Sequence, residues 1–128
     1  MQAKFIVAVA IGSFALGAAA VQTLHAQARP PAYAIAEIAV KDEAGYKNEF
    51  LPKIQPVIKE NGGVYLAGGF NKTWTQMGQE PPNRVVLIRY DNMEAVKKYA
   101  EASDKMIKEI GEKYATFRIY AIEGIAQK

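Results

Sequence analysis

The sequence predicts one α+β domain in which a four-stranded antiparallel sheet carries two helices on one face. Four short segments rich in β-branched and aromatic residues predict the strands, and two longer segments with apolar residues at helical spacing predict the helices. Their order along the chain is β-α-β-β-α-β. The chain has 128 residues, 50% of them hydrophobic, and no cysteine, so we expect its core to close by packing or oligomerisation.

The strands are predicted at residues 33–40, 64–70, 84–90 and 117–123. The second contains Gly68 and Gly69, and a glycine pair inside a strand usually marks a bulge or a close backbone approach. An extension of this strand through Thr75 is one option. Turn residues from Met77 to Asn83 then join it to the third strand as a hairpin.

The first helix is predicted to begin at Asp42, whose carboxylate can cap it. Its apolar positions recur at helical spacing and are Tyr46, Phe50, Ile54, Val57 and Ile58. Pro52 and Pro56 each remove an intrahelical hydrogen bond, so a break or kink is expected near Leu51. The second helix is predicted to begin at Asp91 or Asn92.

Residues 1–28 differ in composition from the rest of the chain and predict an export signal. Lys4 supplies a positive start, Phe5 to Val21 are apolar or small, and Ala26-Gln27-Ala28 has the form that a signal peptidase cleaves. Cleavage after Ala28 predicts a periplasmic or secreted protein. The alternative is a retained anchor, because the apolar stretch approaches the roughly 20 residues that span a bilayer.

The predicted domain organisation follows from this signal. Residues 29–32 form a linker, residues 33–124 form the domain, and residues 125–128 form a C-terminal tail. The only histidine, His25, lies in the signal, so the mature chain would hold neither His nor Cys. These are the usual ligands of zinc, copper and haem, and His is the usual neutral-pH base, so we expect no metal and no cofactor.

Charge excludes a further class of partner. The 16 basic and 13 acidic residues are interspersed, and the net charge is +3. Nucleic-acid binding usually needs a clustered positive stripe, so no nucleic-acid partner is expected. A membrane would be contacted only through an uncleaved signal.

The predicted order of elements is that of the ferredoxin-like fold, whose sheet has one face without helices. Apolar and aromatic residues on both sides of the strands exceed what a solvated face needs, and Ile35 and Tyr120 are examples. A core of this size is modest. We therefore expect a homodimer in which a second copy covers the helix-free face.

Three motifs carry a resemblance to a known family. They are Gly62-Gly63-x-Tyr65-Leu66-x-Gly68-Gly69, Glu80-Pro81-Pro82-x-Arg84-Val85-Val86-Leu87-Ile88, and Tyr114-x-x-Phe117-Arg118 followed by Ala121-x-Glu123-Gly124. From Tyr33 to Gly124 the chain resembles the domain-of-unknown-function 1330 family. The resemblance implies a dimeric α+β barrel of two ferredoxin-like subunits, with a cavity between sheet and helices.

The resemblance also has a departure. Many members carry a Trp-Tyr pair and a Ser-Pro-x-Tyr stretch, where this chain has Lys98-Tyr99 and Glu101-Ala102-Ser103-Asp104. The wider superfamily includes cofactor-independent monooxygenases, isomerases and haem-degrading enzymes. The haem-degrading branch is disfavoured because the mature chain offers no axial histidine.

Glu37 and Arg118 are the candidate catalytic residues, because each is a charge within a strand. The first and last strands are neighbours in this fold, so the two side chains can meet across the sheet. In the functional interpretation Arg118 binds an anionic substrate group and Glu37 transfers a proton. In the structural interpretation they form an ion pair or face solvent.

Five further residues are candidate ligand contacts: Tyr65, Tyr90, Tyr120, Trp74 and Arg84. Phenols and indoles bind aromatic ligands, but they also pack in cores and interfaces. Arg84 and Glu80 flank the Pro-Pro turn, where a charged pair would stiffen the hairpin or gate a pocket. The sequence thus predicts an exported dimer that binds a small apolar or aromatic molecule, with cofactor-free chemistry as an option. The alternative is a non-catalytic structural or binding dimer of the cell envelope.

Overall fold

The sheet is antiparallel throughout, with the strand order β2-β3-β1-β4. The strands are β1 (Ala32–Val40), β2 (Val64–Phe70), β3 (Arg84–Tyr90) and β4 (Ala115–Glu123). This computed structural model describes residues 29–126, so the predicted export signal lies outside the described residues. The order is the ferredoxin-like one that the sequence predicts, with β4 beginning at Ala115 and not at Phe117.

The first predicted helix consists of three consecutive segments. They are α1 (Glu43–Gly45), a π-helical turn (Tyr46–Phe50) and α2 (Leu51–Glu60). Asp42 caps the stretch, since its Oδ1 accepts a hydrogen bond from the backbone N–H of Gly45 at 3.0 Å. The predicted irregularity near Leu51 is confirmed: Pro52 offers no N–H to the preceding turn, and the wider π-helical turn ends just before it.

The second predicted helix is α3 (Met93–Glu109). Of the two candidate caps the structure selects Asn92, whose Oδ1 accepts from the backbone N–H of Ala95 at 3.0 Å. A 3₁₀ turn at Gly111–Lys113 then leads into β4. α3 therefore ends at Glu109, although the apolar residues Ile110 and Tyr114 continue its helical spacing, because the chain turns back there to pair β4 with β1.

The core lies between the sheet and the helices. Alternate residues of β1 are buried, and three of those five positions are alanines. Small side chains on this central strand leave room for the helices to bring aromatic rings onto the sheet. Tyr46 and Phe50, for example, lie 5.3 Å apart between ring centroids and both are buried.

The connection between β2 and β3 is a long loop over residues 71–83, and the optional extension of β2 through Thr75 does not form. Asn83 fixes the base of this loop. Its Oδ1 accepts from the backbone N–H of Val40 at 2.8 Å, and its Nδ2 donates to the carbonyl of Val40 at 2.9 Å. The backbone N–H of Asn71 also donates to the carbonyl of Asn83 at 2.8 Å, so both ends of the loop are held together.

The glycine pair of β2 marks a close backbone approach, as the sequence predicts. A bulge interrupts the pairing between Tyr65 and Ala67. Gly68 follows with a φ of +103°, and a Cβ at this position would collide with the carbonyl of Val85. This position therefore requires glycine.

Candidate functional site

The side of the sheet that faces away from the helices carries the candidate site. We call this side the open face. Its side chains alternate with the core residues along each strand, and they are Tyr33, Ile35 and Glu37 of β1, Val85, Leu87 and Arg89 of β3, and Arg118, Tyr120 and Ile122 of β4. Toward one end the open face carries apolar and aromatic side chains around the exposed Arg89, and toward the other end it carries a polar cluster.

Glu37, Arg118 and Tyr120 form that polar cluster. The register of β1 and β4 places Glu37 directly opposite Arg118, and Tyr120 lies two residues further along the same side of β4. Glu37 Oε2 accepts a hydrogen bond from Arg118 Nη1 at 3.0 Å and another from the Tyr120 hydroxyl at 2.9 Å. The expectation that Glu37 and Arg118 meet across the sheet is confirmed.

The cluster is unequally exposed. The Glu37 side chain is 20% exposed, whereas the Arg118 side chain is 74% exposed. The hydrogen bond to Glu37 raises the pKa of Tyr120, so this phenol keeps its proton and remains a donor to the carboxylate. Within residues 29–126, the Nε and Nη2 groups of Arg118 have no acceptor, and these donors are available to a ligand.

The loop over residues 71–83 turns this cluster into a cleft. The cleft has a volume of about 800 Å³, within the range of small-molecule sites. Its floor is formed by the open face and its wall by the loop. The floor residues are Ile35, Glu37, Val85, Arg118 and Tyr120, and the wall includes Thr73, Trp74, Met77, Glu80, Pro81 and Pro82.

Trp74 shows the character of that wall. It lines the cleft yet remains 82% exposed, so its indole packs little against the part of the chain that the structure describes. The neighbouring Met77 lines the same wall and is also exposed. Large apolar side chains that line an open cleft without being buried are available to stack on a ligand.

The seven candidate residues are divided between the two sides of the sheet. Glu37, Arg118, Tyr120 and Trp74 come together in the cleft. The other three lie on the helix side. Arg84 and Tyr90 occupy buried positions of β3, and Tyr65 of β2 is paired with Ile88, another buried position of β3. Tyr90 is fully buried, and its hydroxyl has no hydrogen-bond partner in the described part of the chain.

The pairing of Arg84 with Glu80 at the Pro-Pro turn is wrong. Arg84 is only 8% exposed, and its guanidinium carbon lies 4.8 Å from the Phe70 ring centroid and 5.6 Å from that of Tyr46. Alternate residues of β3 are buried, and Arg84 is the first of them, so its side chain points into the core. Glu80 lies in the exposed loop. Burying an ion costs several kcal/mol, whereas cation–π contacts return about 0.5 to 2 kcal/mol.

The position of the cleft also differs from the expectation of a cavity between sheet and helices. It lies on the opposite side of the sheet, because that is where the β2–β3 loop folds. Sequence reasoning missed the wall residues Thr73, Met77, Pro81 and Pro82. The available signal was the length of the connection, since a long loop within a small domain is commonly functional.

No group of acidic, histidine or cysteine side chains suited to hold a metal ion occurs in the described range 29–126. Within that same range, no helix has the length and hydropathy needed to cross a bilayer. The polar groups of the cleft are the carboxylates of Glu37 and Glu80, the Arg118 guanidinium, the Tyr120 phenol and the hydroxyls and amides of the loop.

Comparisons with known proteins agree with this fold. The model of a family described as a domain of unknown function (DUF1330) matches residues 31–125. A search of curated proteins found no match. A solved structure of a protein of unknown function from Rhodopseudomonas palustris is similar, with a TM-score of 0.58 and 12% identity over 77% of this chain and 85% of that chain.

A second solved structure, an EthD-like protein from Ralstonia eutropha, has a TM-score of 0.51. It is 12% identical over 78% of this chain and 96% of its own chain. At such identities the two likenesses establish a common fold, while function has to be argued from the site.

Proposed function

The chain belongs to the DUF1330 family, and from this premise we propose that it binds a small aromatic molecule carrying a hydroxyl group in the cleft of the open face. The observation that carries the proposal is the cluster of Glu37, Arg118 and Tyr120 at the floor of that cleft. Glu37 already accepts a hydrogen bond from a phenol of the chain itself, so its carboxylate suits the hydroxyl of a ligand.

The surroundings of the cluster support an aromatic occupant. Ile35 and Val85 provide an apolar floor beside Glu37, and Trp74 and the two prolines provide an apolar wall. A ligand hydroxyl would donate to Glu37 and accept from Arg118, whose remaining donors are free in the described residues. Such a site binds and orients its ligand; whether a reaction follows depends on the ligand.

p-Cresol is the probe for this proposal, because it reproduces the side chain that Tyr120 places on Glu37. Trp74 is the only tryptophan of the chain, so its emission reports binding in the cleft without labelling. We expect p-cresol to change this emission, and Glu37→Gln to weaken binding about tenfold, since a charge-assisted hydrogen bond becomes a neutral one.

Glu123→Gln is the matched control, because it makes the same chemical change on β4 away from the cleft lining. It should leave the p-cresol affinity as in the wild type. No response of Trp74 to p-cresol, or equal affinities for wild type and Glu37→Gln, would contradict the proposal. Either result would favour the non-catalytic structural dimer of the cell envelope.

We also propose that the protein is a homodimer in which a second copy covers the apolar end of the open face. Val64 and Ile122 lie there and are each more than half exposed, and Leu87 adjoins them toward the middle of the open face. A small domain gains apolar burial when an identical face packs on this surface. The partner would also narrow the mouth of the cleft.

The dimer is tested by sedimentation of the wild type and of Leu87→Lys, which places a charge in the middle of the open face. We expect a dimer for the wild type and a monomer for the variant. Gln55→Lys, on the exposed side of α2, is the control and should remain dimeric. A wild type that sediments as a monomer at all concentrations would contradict this proposal.

Export is the third part of the proposal, and it is supported by the composition of residues 1–28. The intact mass of protein recovered from the periplasm or medium tests it. We expect a chain that begins at Arg29. A full-length chain retained in the membrane fraction would instead support an uncleaved anchor.

A further inference from the structure

Arg84 is a buried cation that has no counterion among residues 29–126. Four of the ion pairs in the described range lie within helical segments or their caps, and the fifth joins Glu37 to Arg118; none involves Arg84. Its Nε is buried and has no hydrogen-bond partner in residues 29–126. Buried charges in proteins are normally paired, so this guanidinium calls for an anion that the described chain does not supply.

Neighbouring phenols do not supply that anion. Burial raises the pKa of Tyr65 to about 12, although the charge of Arg84 acts against the rise. Burial likewise raises the pKa of Tyr46, again against Arg84. Both phenols are therefore neutral at physiological pH, so neither is a counterion; toward Arg84, whose guanidinium can only donate, the Tyr46 hydroxyl is a neutral hydrogen-bond acceptor.

The edge of the sheet beside β2 offers a route to this cation. The first five residues of β2 are exposed, and Tyr65, which lies on the helix side of that strand, is 40% exposed. Gly68 stands opposite Val86 on the same side and has no side chain. Phe70, the β2 neighbour of Arg84, follows two residues later. On the helix side, β2 is thus covered by fewer packed side chains than β1 and β3 are.

We propose that Arg84 binds the carboxylate of a small organic acid that enters on the helix side of β2, between Tyr65 and Phe70. The planar guanidinium matches a carboxylate with two parallel hydrogen bonds, and the Tyr65 hydroxyl adds a third donor. The Phe70 and Tyr46 rings hold the guanidinium in place. This site goes beyond the proposed function, because it lies on the other side of the sheet from the cleft.

Benzoate is the probe, and calorimetric titration of the full chain is the measurement. We expect wild type to bind benzoate and Arg84→Met to bind it at least tenfold more weakly, because the substitution keeps an apolar stem under the rings and removes the charge. Arg89→Met makes the same change on the exposed side of β3 and should bind benzoate like the wild type. Benzamide, which has the same shape without the charge, should bind at least tenfold more weakly than benzoate.

Two readouts separate this site from the cleft. Saturating benzoate should leave the Trp74 emission unchanged and should not compete with p-cresol, so either site can fail while the other stands. Arg84→Lys keeps the charge but loses the planar guanidinium, so we expect it to bind benzoate less tightly than wild type and more tightly than Arg84→Met. It also provides the test if Arg84→Met does not fold. The proposal is overturned if wild type does not bind benzoate, or if any folded Arg84 variant binds it as tightly as wild type.

Discussion

The two sides of one sheet have opposite characters, although the same strands build both. On the helix side, β1 presents small and aliphatic residues to buried aromatic rings. On the open face, the intervening positions of β1 include Glu37, which holds an arginine and a tyrosine of β4. Because side chains alternate along a strand, one set of residues stabilises the domain while the other is free to serve binding.

The two sides also differ in how they accommodate an arginine. Arg118 is exposed and paired with Glu37, so its charge costs the fold little. Arg84 is buried against aromatic rings and has no carboxylate partner among residues 29–126. The paired, exposed arginine therefore costs the fold little, whereas the buried arginine carries a desolvation cost.

The largest expected effect compares an isoleucine from each side. Ile88→Ala removes a side chain that is 4% exposed in the core, and we expect it to lower the free energy of unfolding by about 2 to 5 kcal/mol. Ile122→Ala removes one that is 52% exposed on the open face, and within a monomer it should cost less than about 1 kcal/mol. Urea unfolding of both variants measures the difference.

Repeating the unfolding of Ile88→Ala and Ile122→Ala at several protein concentrations provides the control. If a second copy covers the open face, the cost of Ile122→Ala should grow at concentrations where the wild type is dimeric, while that of Ile88→Ala stays constant. Similar losses from both variants in dilute solution would break the distinction between the two sides.

An intermediate effect is expected at Asn83, which joins the loop of the open face to the end of the core strand β1. Asn83→Ala leaves the N–H and the carbonyl of Val40 without their partner, and we expect a loss of about 1 to 3 kcal/mol in the free energy of unfolding. Faster amide hydrogen exchange at Val40 would locate the loss.

Asn83→Asp refines this measurement. Its carboxylate can accept from the Val40 N–H but repels the Val40 carbonyl, and on protonation it regains a donor. We therefore expect this variant to recover part of its stability relative to the wild type as the pH is lowered. A variant as stable as the wild type at neutral pH would show that the two hydrogen bonds between Asn83 and Val40, which we call the clamp, contribute little to the free energy of unfolding.

The smallest effect concerns Tyr65, a half-buried phenol on the helix side, at alkaline pH. Tyr65 in the unfolded chain ionises near its ordinary pKa of 10.0, whereas the folded chain holds the proton up to about 12. The unfolded state thus releases protons first, and the free energy of unfolding should fall as the pH rises from about 10 to 12. Tyr65→Phe should make this fall shallower.

Glu37→Gln is the control for the alkaline measurement. It replaces the charged acceptor of the Tyr120 hydroxyl by a neutral amide oxygen, which removes the charge that raises the pKa of Tyr120, so this phenol should ionise at lower pH in a spectrophotometric titration. The slope that depends on Tyr65 should persist. An equal effect of Glu37→Gln and Tyr65→Phe on that slope would show that the two groups of tyrosines are not independent.

Local pattern was sufficient for much of the fold and for half of the site. β3 begins and ends where its β-branched residues predict, and Asp42 caps the first helix as expected. The encounter of Glu37 with Arg118 followed from strand order alone, because neighbouring antiparallel strands fix which residues face each other.

Features set by tertiary contacts were not predictable in the same way. The course of residues 71–83 over the open face depends on where a long loop packs, and no periodicity encodes it. The orientation of Arg84 was available from the sequence, since it shares parity with Val86 and Ile88. A charged residue at the first position of a strand is usually solvated. For that reason Arg84 was not predicted to be buried, although the alternation of β3 places it on the core side.

The clamp at Asn83 has a consequence for how such a protein can diversify. Because the two ends of the loop are tied to each other and to β1, the tip between them can change composition while the sheet beneath keeps its register. Substitutions around Trp74 can therefore reshape the wall of the cleft without disturbing the sheet.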